Sequence, residues 1–122
     1  MSDPVDTAQR VFLAYVNSDR AEIEALLADE FHFTSPYDNR IDRQTYLERC
    51  WPSHNDVAGY NFIRFLHQDD VVIVTYEMRW KNGSRLRNTE VLTIQRGQVL
   101  DVEVYFGWSL PHAAASGRFV TP

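Results

Sequence analysis

The sequence predicts an α+β fold in which helices gather on one face of a bent antiparallel sheet. The first half of its 122 residues repeats apolar side chains at three- and four-residue steps, which is the spacing of helices with one buried face. The second half alternates apolar and polar residues between turn signals, which indicates successive antiparallel strands. The length favours one domain over residues 1–122, with its core at about 5–108 and a tail at 109–122.

The first two helices each begin at a capping residue. Asp3 precedes an apolar face that carries Phe12 and Tyr15, and this pattern predicts a helix that ends near Asn17. A second, short helix follows, because Asp19 and the glutamate three positions later form a capping-box pattern.

A short strand is expected at residues 31–35, where apolar and polar residues alternate until a proline. A polar turn at 37–40 follows it, and Asp42 then caps a third helix. That helix ends at Trp51, because the residue before a proline avoids helical angles, and a loop is expected at 53–56.

Four long strands occupy the second half of the chain. They are expected at residues 60–67, 71–80, 85–94 and 99–108. An Asn-Gly pair between the second and third of them favours a two-residue hairpin turn, since both central positions need positive φ. Such short connections predict a meander in which neighbouring strands pair antiparallel.

Alternation assigns each strand an inner and an outer face. Val74, Tyr76 and Trp80 share the face that the helices should cover, and Phe106 lies on the corresponding face of the last strand. The outer face mixes apolar residues with polar ones such as Thr75. A mixed face of this kind fits a homodimer interface, and the alternative is the solvated face of an antiparallel sheet.

Two segments carry a resemblance to a known family. Residues 26–36 (LLADEFHFTSP) resemble the second helix and first strand of the nuclear transport factor 2-like superfamily, also described as cystatin-like. Residues 92–99 (LTIQRGQV) with 102–107 (VEVYFG) resemble the last hairpin of its SnoaL-like and ketosteroid-isomerase-like branch. The resemblance covers roughly residues 5–108. It implies a cone, in which a bent sheet wraps a long helix and leaves a pocket at the open end, and it implies homodimers.

Ketosteroid isomerases of that branch use three polar groups, and the resemblance carries over one of them. Their catalytic aspartate before the first strand's proline corresponds to Ser35, which has no carboxylate. Their first-helix tyrosine corresponds to Phe12, which has no hydroxyl. Their neutral carboxylic acid on the third long strand corresponds to Glu90. Steroid isomerisation by the same mechanism is therefore not expected.

Two carboxylates are the catalytic candidates. If Glu90 lies on the inner face among apolar neighbours, burial raises its pKa and suits it to proton transfer near neutral pH. The alternative for Glu90 is an exposed side chain or a salt bridge to Arg79, Arg85 or Arg87. Asp38 could act as a base displaced from the first strand, and the alternative is a turn aspartate that bonds its own backbone.

Substrate-binding residues are expected on the inner face and around the pocket mouth. Aromatic walls with a few placed polar groups suit a small apolar or aromatic molecule. The predicted substrate-binding residues are Phe12, Phe33, Ser35, Tyr37, Trp51, Tyr76, Trp80, Asn88 and Phe106.

Two functions stay open at this point. The first is a cofactor-free isomerase, cyclase, dehydratase or hydrolase that acts by acid–base catalysis through Glu90. The second is a non-catalytic ligand-binding or dimerisation module, in which the cone holds a lipid-like or aromatic molecule or is filled by its own aromatic side chains. A cleft of roughly 300 Å³ or more with Glu90 exposed inside favours an enzyme or a ligand-binding protein, and a filled cone favours a structural role.

Composition argues against several other classes. A net charge of −5 without a basic stripe argues against nucleic-acid binding. No apolar run is long enough for a membrane span and no signal-peptide core is found, so a cytoplasmic protein is expected. Cys50, the only cysteine, excludes an intrachain disulfide and is expected to be a buried structural thiol. No histidine pair has a metal-ligand spacing and no glycine-rich phosphate loop occurs, so no metal and no cofactor are expected.

Overall fold

The computed structural model describes residues 3–122 and has an α+β fold with a curved, unclosed sheet of six strands. Its helices are α1 (Pro4–Asn17), α2 (Arg20–Leu26) and α3 (Arg43–Arg49), and a 3-10 helix covers Trp51–Asp56. Its strands are β1 (Leu27–Ser35), β2 (Asp38–Asp42), β3 (Val57–Gln68), β4 (Val71–Trp80), β5 (Arg85–Gln95) and β6 (Gln98–Leu110).

The predicted helix caps are confirmed. The side chains of Asp3, Asp19 and Asp42 each accept a backbone N–H from the first turn of their helix, at 2.9, 3.0 and 2.8 Å. These bonds satisfy backbone donors that have no partner within the helix. Ser18 ends α1 in the left-handed conformation, with φ 53°.

The meander of four long strands is confirmed, and the sheet order is β2-β1-β6-β5-β4-β3. β3 to β6 pair antiparallel with their sequence neighbours. Gly83 has φ 93° in the turn between β4 and β5, a conformation that favours glycine. The two-residue turn expected there was wrong, because Asn82 does not have positive φ and Trp80 N donates to the Ser84 carbonyl oxygen across a three-residue loop. The expectation of a wholly antiparallel sheet was wrong, because β1 pairs with β6 in parallel.

Local boundaries in the first half differ from the prediction. The polar turn expected at 37–40 was wrong, since residues 38–42 form β2 and pair with β1. β2 is an edge strand with exposed polar side chains, so it lacks the apolar alternation that marks strands in a sequence. β1 begins at Leu27, four residues earlier than expected, and the loop expected at 53–56 lies within the 3-10 helix.

The core lies between the helices and the inner face of the sheet. Phe12 on α1 is 3% exposed, and Val74 and Leu92 on the inner sheet face are 0% exposed. The inner-face assignment for β4 is thereby confirmed, with Trp80 partly buried at its end. On the outer face, Thr75 shares hydrogen bonds with neighbouring side chains instead of packing under a helix. None of the helices described in residues 3–122 is both long enough and apolar enough to cross a membrane.

Candidate functional site

A cavity of about 250 Å³ lies between α1, the end of α3 and the inner face of β3 to β6; we call it the inner cavity. Its walls are mostly aromatic and aliphatic. The predicted site residues that line it are Glu90, Phe12, Phe33, Tyr76, Trp80, Asn88 and Phe106. Other lining residues that the sequence analysis did not single out for the site include Tyr15, Tyr46, Tyr60, Cys50, Met78 and Leu86.

Glu90 lies on the inner face of β5, where it pairs across the sheet with Val74 and Val104. Tyr76 Oη donates a hydrogen bond to Glu90 Oε2 at 2.6 Å. Asn88 Nδ2 in turn donates to Tyr76 Oη at 3.4 Å. The side chain of Glu90 is thus positioned by neighbours from the same two strands and stays partly accessible from the cavity.

The salt bridge considered for Glu90 does not form within residues 3–122. Arg87 points to the outer face, where its guanidinium pairs with Glu77 and lies 5.6 Å from the Trp108 ring centroid. Strand alternation explains this separation, because Arg87 and Glu90 are an odd number of residues apart and point to opposite faces.

Burial raises the pKa of Glu90 to about 7, and the hydrogen bond from Tyr76 opposes part of that rise. The cause is the loss of water around the charged form, and none of the described residues in the cavity wall is a basic side chain that could replace that water. Burial also raises the pKa of Tyr15, Tyr60 and Tyr76. These hydroxyls therefore stay protonated near neutral pH, where Glu90 exists in both protonation states.

A second polar pair lies on the helix side of the inner cavity. The hydroxyls of Tyr15 on α1 and Tyr46 on α3 share a short hydrogen bond, and burial raises the pKa of both. Tyr15 belongs to the apolar face predicted for the first helix, and Tyr46 lies within the predicted third helix. Since a buried tyrosine hydroxyl needs a polar partner, two tyrosines on inward faces were the available signal for this pair.

Cys50 follows α3 and lines the inner cavity, where it is only partly buried. This position corrects the expectation of a fully buried structural thiol. Burial raises its pKa to about 11, so the thiol is protonated and a poor nucleophile at neutral pH.

Asp38 and Ser35 do not line the inner cavity. Asp38 is buried at the start of β2, where Ser35 Oγ donates to its Oδ2 at 2.8 Å and Arg49 forms an ion pair with it. Because β2 turns back along the edge of the sheet, this carboxylate faces α3 instead of the inner cavity.

Tyr37 and Trp51 also lie outside the cavity wall. Tyr37 is 78% exposed and contacts Phe106 edge-on, with ring centroids 5.5 Å apart. Trp51 is 4% exposed and packs against Tyr15, with ring centroids 4.9 Å apart. Tyr37 therefore stands beside the cavity mouth, and Trp51 supports the wall from behind.

A β-bulge shapes the mouth of the inner cavity. The β5–β6 register shifts between Arg87 and Asn88, which lets Phe106 reach the cavity while Trp108 faces outward. Gly107 sits between them, and a Cβ there would lie 2.2 Å from the Arg87 carbonyl oxygen. Only glycine permits this close approach of the two backbones.

Within the described residues, no three His, Cys, Asp or Glu side chains are placed to hold a metal ion together. Among the described residues, the polar groups that line the inner cavity include the Glu90 carboxyl, several hydroxyls, the Asn88 amide and the Cys50 thiol. Such a set can donate hydrogen bonds to an oxygen or nitrogen of a ligand and exchange a proton with it.

No protein-family model matches the chain, and no curated protein matches it in sequence. Solved structures match its fold. An NTF2-like protein of unknown function from Cytophaga hutchinsonii has 16% identity and TM-score 0.72, covering 88% of this chain and 92% of that one. Wild-type IdmH from Streptomyces antibioticus, a proposed polyketide cyclase, has 15% identity and TM-score 0.70, covering 85% and 91%. A de novo designed protein with a curved β-sheet has 12% identity and TM-score 0.74, covering 88% of each chain.

These likenesses confirm the predicted fold. They do not carry a function across, because a designed protein matches as well as a proposed cyclase does. The chemistry of this chain has to follow from the side chains of its own cavity.

Proposed function

We propose that this chain, which has the NTF2-like fold, binds a small apolar or aromatic molecule in the inner cavity and exchanges a proton with it through Glu90. One observation carries the proposal. Glu90 is a carboxyl held by Tyr76 in an otherwise apolar and aromatic cavity, with its pKa raised to about 7 by burial. An acid–base group works best when its pKa lies near the working pH.

The arrangement supports reactions that consist of proton transfers and need no cofactor. As the carboxylate, Glu90 can remove a proton from carbon; as the acid, it can protonate a departing or developing oxygen. The Tyr60 hydroxyl lines the same cavity, stays protonated because burial raises its pKa, and can donate to that oxygen, whereas the Tyr76 proton is already donated to Glu90. Isomerisation, aldol-type cyclisation, dehydration and epoxide opening all fit this description. IdmH, a fold neighbour, is a proposed polyketide cyclase, and cyclisation belongs to the same class.

A non-catalytic ligand-binding module is the second candidate. It is favoured by the number of carboxyls, because Glu90 is the one carboxyl among the described residues of the cavity wall and Asp38 is engaged by Arg49 elsewhere. The cavity volume of about 250 Å³, slightly below the roughly 300 Å³ at which ligand sites usually begin, restricts either candidate to compact ligands. A homodimer through the outer sheet face belongs to either candidate and remains part of the proposal.

The first experiment is a thermal-shift screen against phenols, epoxides, fatty acids and steroids. A ligand at a hundred times its Kd adds about 2.7 kcal/mol of stability, which raises the midpoint by several degrees for a domain of this size. We expect shifts from compact aromatic molecules, given the cavity volume of about 250 Å³. No shift across the panel would overturn the proposal of a ligand cavity.

Each binding compound is then incubated with the wild-type protein and with Glu90→Gln. Glu103→Gln is the matched control, because Glu103 is exposed on β6 and lies outside the inner cavity. Glu90→Gln should keep the fold and lose turnover, while Glu103→Gln keeps both. Binding without turnover in the wild-type protein would replace catalysis with the ligand-binding function.

A further inference from the structure

The inner cavity has an unbalanced charge. Among the described residues that line it, Glu90 is the one ionisable group whose charge changes near neutral pH, and none of them is Arg, Lys or His. The nearby Arg49 and Arg87 are held in ion pairs with Asp38 and Glu77 outside the cavity. A negative charge on Glu90 therefore has no positive partner within residues 3–122.

Only one oxygen of Glu90 has a hydrogen-bond partner among the described residues. Tyr76 donates to Oε2, and Oε1 receives no donor. Among the described residues, the side-chain polar atoms that are fully buried and have no hydrogen-bond partner are Thr7 Oγ1 and Arg87 Nε, so Glu90 Oε1 is not fully buried. It therefore remains accessible from the cavity, and a ligand group that donates a hydrogen bond could occupy that place.

Aromatic rings surround this carboxyl. Phe12, Tyr60 and Tyr76 contact one another edge-on, with ring centroids 5.0 to 5.4 Å apart. Aromatic faces attract a cation, and the attraction grows when the cation leaves water. A cation would bring the positive charge that the described cavity wall lacks, next to both the carboxylate and the aromatic rings.

We propose that the inner cavity prefers a compact hydrophobic amine, bound as its ammonium ion against the free oxygen of Glu90, over a neutral or acidic molecule of the same shape. This inference rests on the proposed function, since it uses the same cavity and the same carboxyl. The proton balance is simple. An ammonium ion meets the carboxylate, or a neutral amine takes the Glu90 proton, and both routes give the same complex of an ammonium ion with the Glu90 carboxylate.

The pH dependence follows from the groups that face Glu90. These are Tyr15 from α1, Tyr46 and Cys50 from α3 and its end, Tyr60 from β3 and Tyr76 from β4. Burial raises the pKa of every one of them, so all are neutral between pH 6 and 8. Glu90 alone changes charge there, and ammonium binding should strengthen about tenfold from pH 6 to pH 8 and then level off.

The test uses three probes of similar shape, which are 2-phenylethylamine, 2-phenylethanol and phenylacetate. Calorimetric titration at pH 6, 7 and 8 measures their Kd for the wild-type protein, Glu90→Gln and Glu103→Gln. We expect the amine to bind the wild-type protein at least tenfold more tightly than the alcohol at pH 8, with phenylacetate weakest. Glu90→Gln should lose this preference, and Glu103→Gln should keep it. Circular dichroism checks that both variants are folded.

The failures of the two proposals are distinguishable. If the alcohol or a neutral member of the screening panel binds and the amine does not, the preference for an amine is overturned and the ligand cavity stands. If the amine binds equally well to Glu90→Gln, the attraction does not come from Glu90 and the inference is overturned. If neither these probes nor any panel compound binds, both proposals fail together.

Discussion

The inner faces of β4 and β5 have two ends with different properties. At one end, Val72, Leu92 and Ile94 are at most 2% exposed and fill the space under the helices. At the other end, larger polar and aromatic side chains line the inner cavity. Val74 and Glu90 pair across the strands at the boundary between these ends. We call the two regions the closed end and the open end.

The difference shows how one alternating pattern serves two purposes. Branched aliphatic side chains at the closed end are buried from solvent, and close packing of such side chains stabilises protein cores. The open end carries hydroxyls, an amide and a carboxyl, and each of these groups needs a polar partner when it is buried. Side chains arranged to reach such partners do not fill the space as closely as aliphatic side chains do. Glu90 at the boundary is far enough inside to lose water yet still faces the cavity, which explains its raised pKa.

Truncating one leucine at each end should give the largest contrast. Leu92→Ala should lower the free energy of unfolding by about 2–5 kcal/mol, because the side chain is 0% exposed and its loss leaves a void. Leu86→Ala should cost distinctly less, since Leu86 is partly buried and already borders the inner cavity. Urea unfolding of the two variants measures both costs. Equal losses would show that the open end is packed as tightly as the closed end.

The second prediction concerns stability and pH at the boundary. In the folded protein Glu90 has a pKa of about 7, against an ordinary value of 4.5. The folded state therefore binds more protons than the unfolded state between these values, and stability falls as pH rises from 4.5 to 7. Since one pKa unit corresponds to about 1.4 kcal/mol, Glu90 removes about 3 kcal/mol of stability above pH 7.

Glu90→Gln has no such titration. Relative to the wild-type protein, its free energy of unfolding should improve by about 3 kcal/mol between pH 4.5 and pH 8. Urea unfolding at both pH values measures this change, and Glu103→Gln supplies the background for removing an exposed carboxylate. A difference that stays constant with pH would mean that Glu90 is hydrated in the folded protein.

The inner face of β4 could be predicted well from the sequence. Period-two alternation predicted the inward direction of Val74 and Tyr76, because a strand offers only two faces, and it left an exposed or salt-bridged side chain as the alternative for Glu90. The open end could be predicted in part. Phe12 and Asn88 were assigned to it correctly from their faces, and both line the inner cavity.

The remainder depends on contacts between distant segments. Asp38 lies beside Arg49 because of the register of β1 against β6 and the path of the edge strand β2. No local sequence pattern reveals how these distant strands pair. The meeting of Tyr15 with Tyr46 likewise needs the packing of α1 on α3. Tertiary packing also decides whether inward aromatic residues fill a cone or surround a cavity, and residue types alone do not specify that volume.

The smallest predicted effect tests how Tyr76 tunes the boundary carboxyl. Its hydroxyl donates to Glu90 and lowers a pKa that burial raises, so Tyr76→Phe should move the Glu90 pKa further above about 7. A typical net hydrogen-bond contribution of about 1 kcal/mol corresponds to a rise of about one unit or less. Titration of the ¹³C-labelled glutamate carboxyls by NMR measures the change. Tyr105→Phe is the control, because Tyr105 donates to exposed Glu103 on the outer face. If the Glu90 pKa stayed fixed in Tyr76→Phe while the fold persisted, a water or Asn88 would have replaced the lost donor, and the open end would be more hydrated than its burial implies.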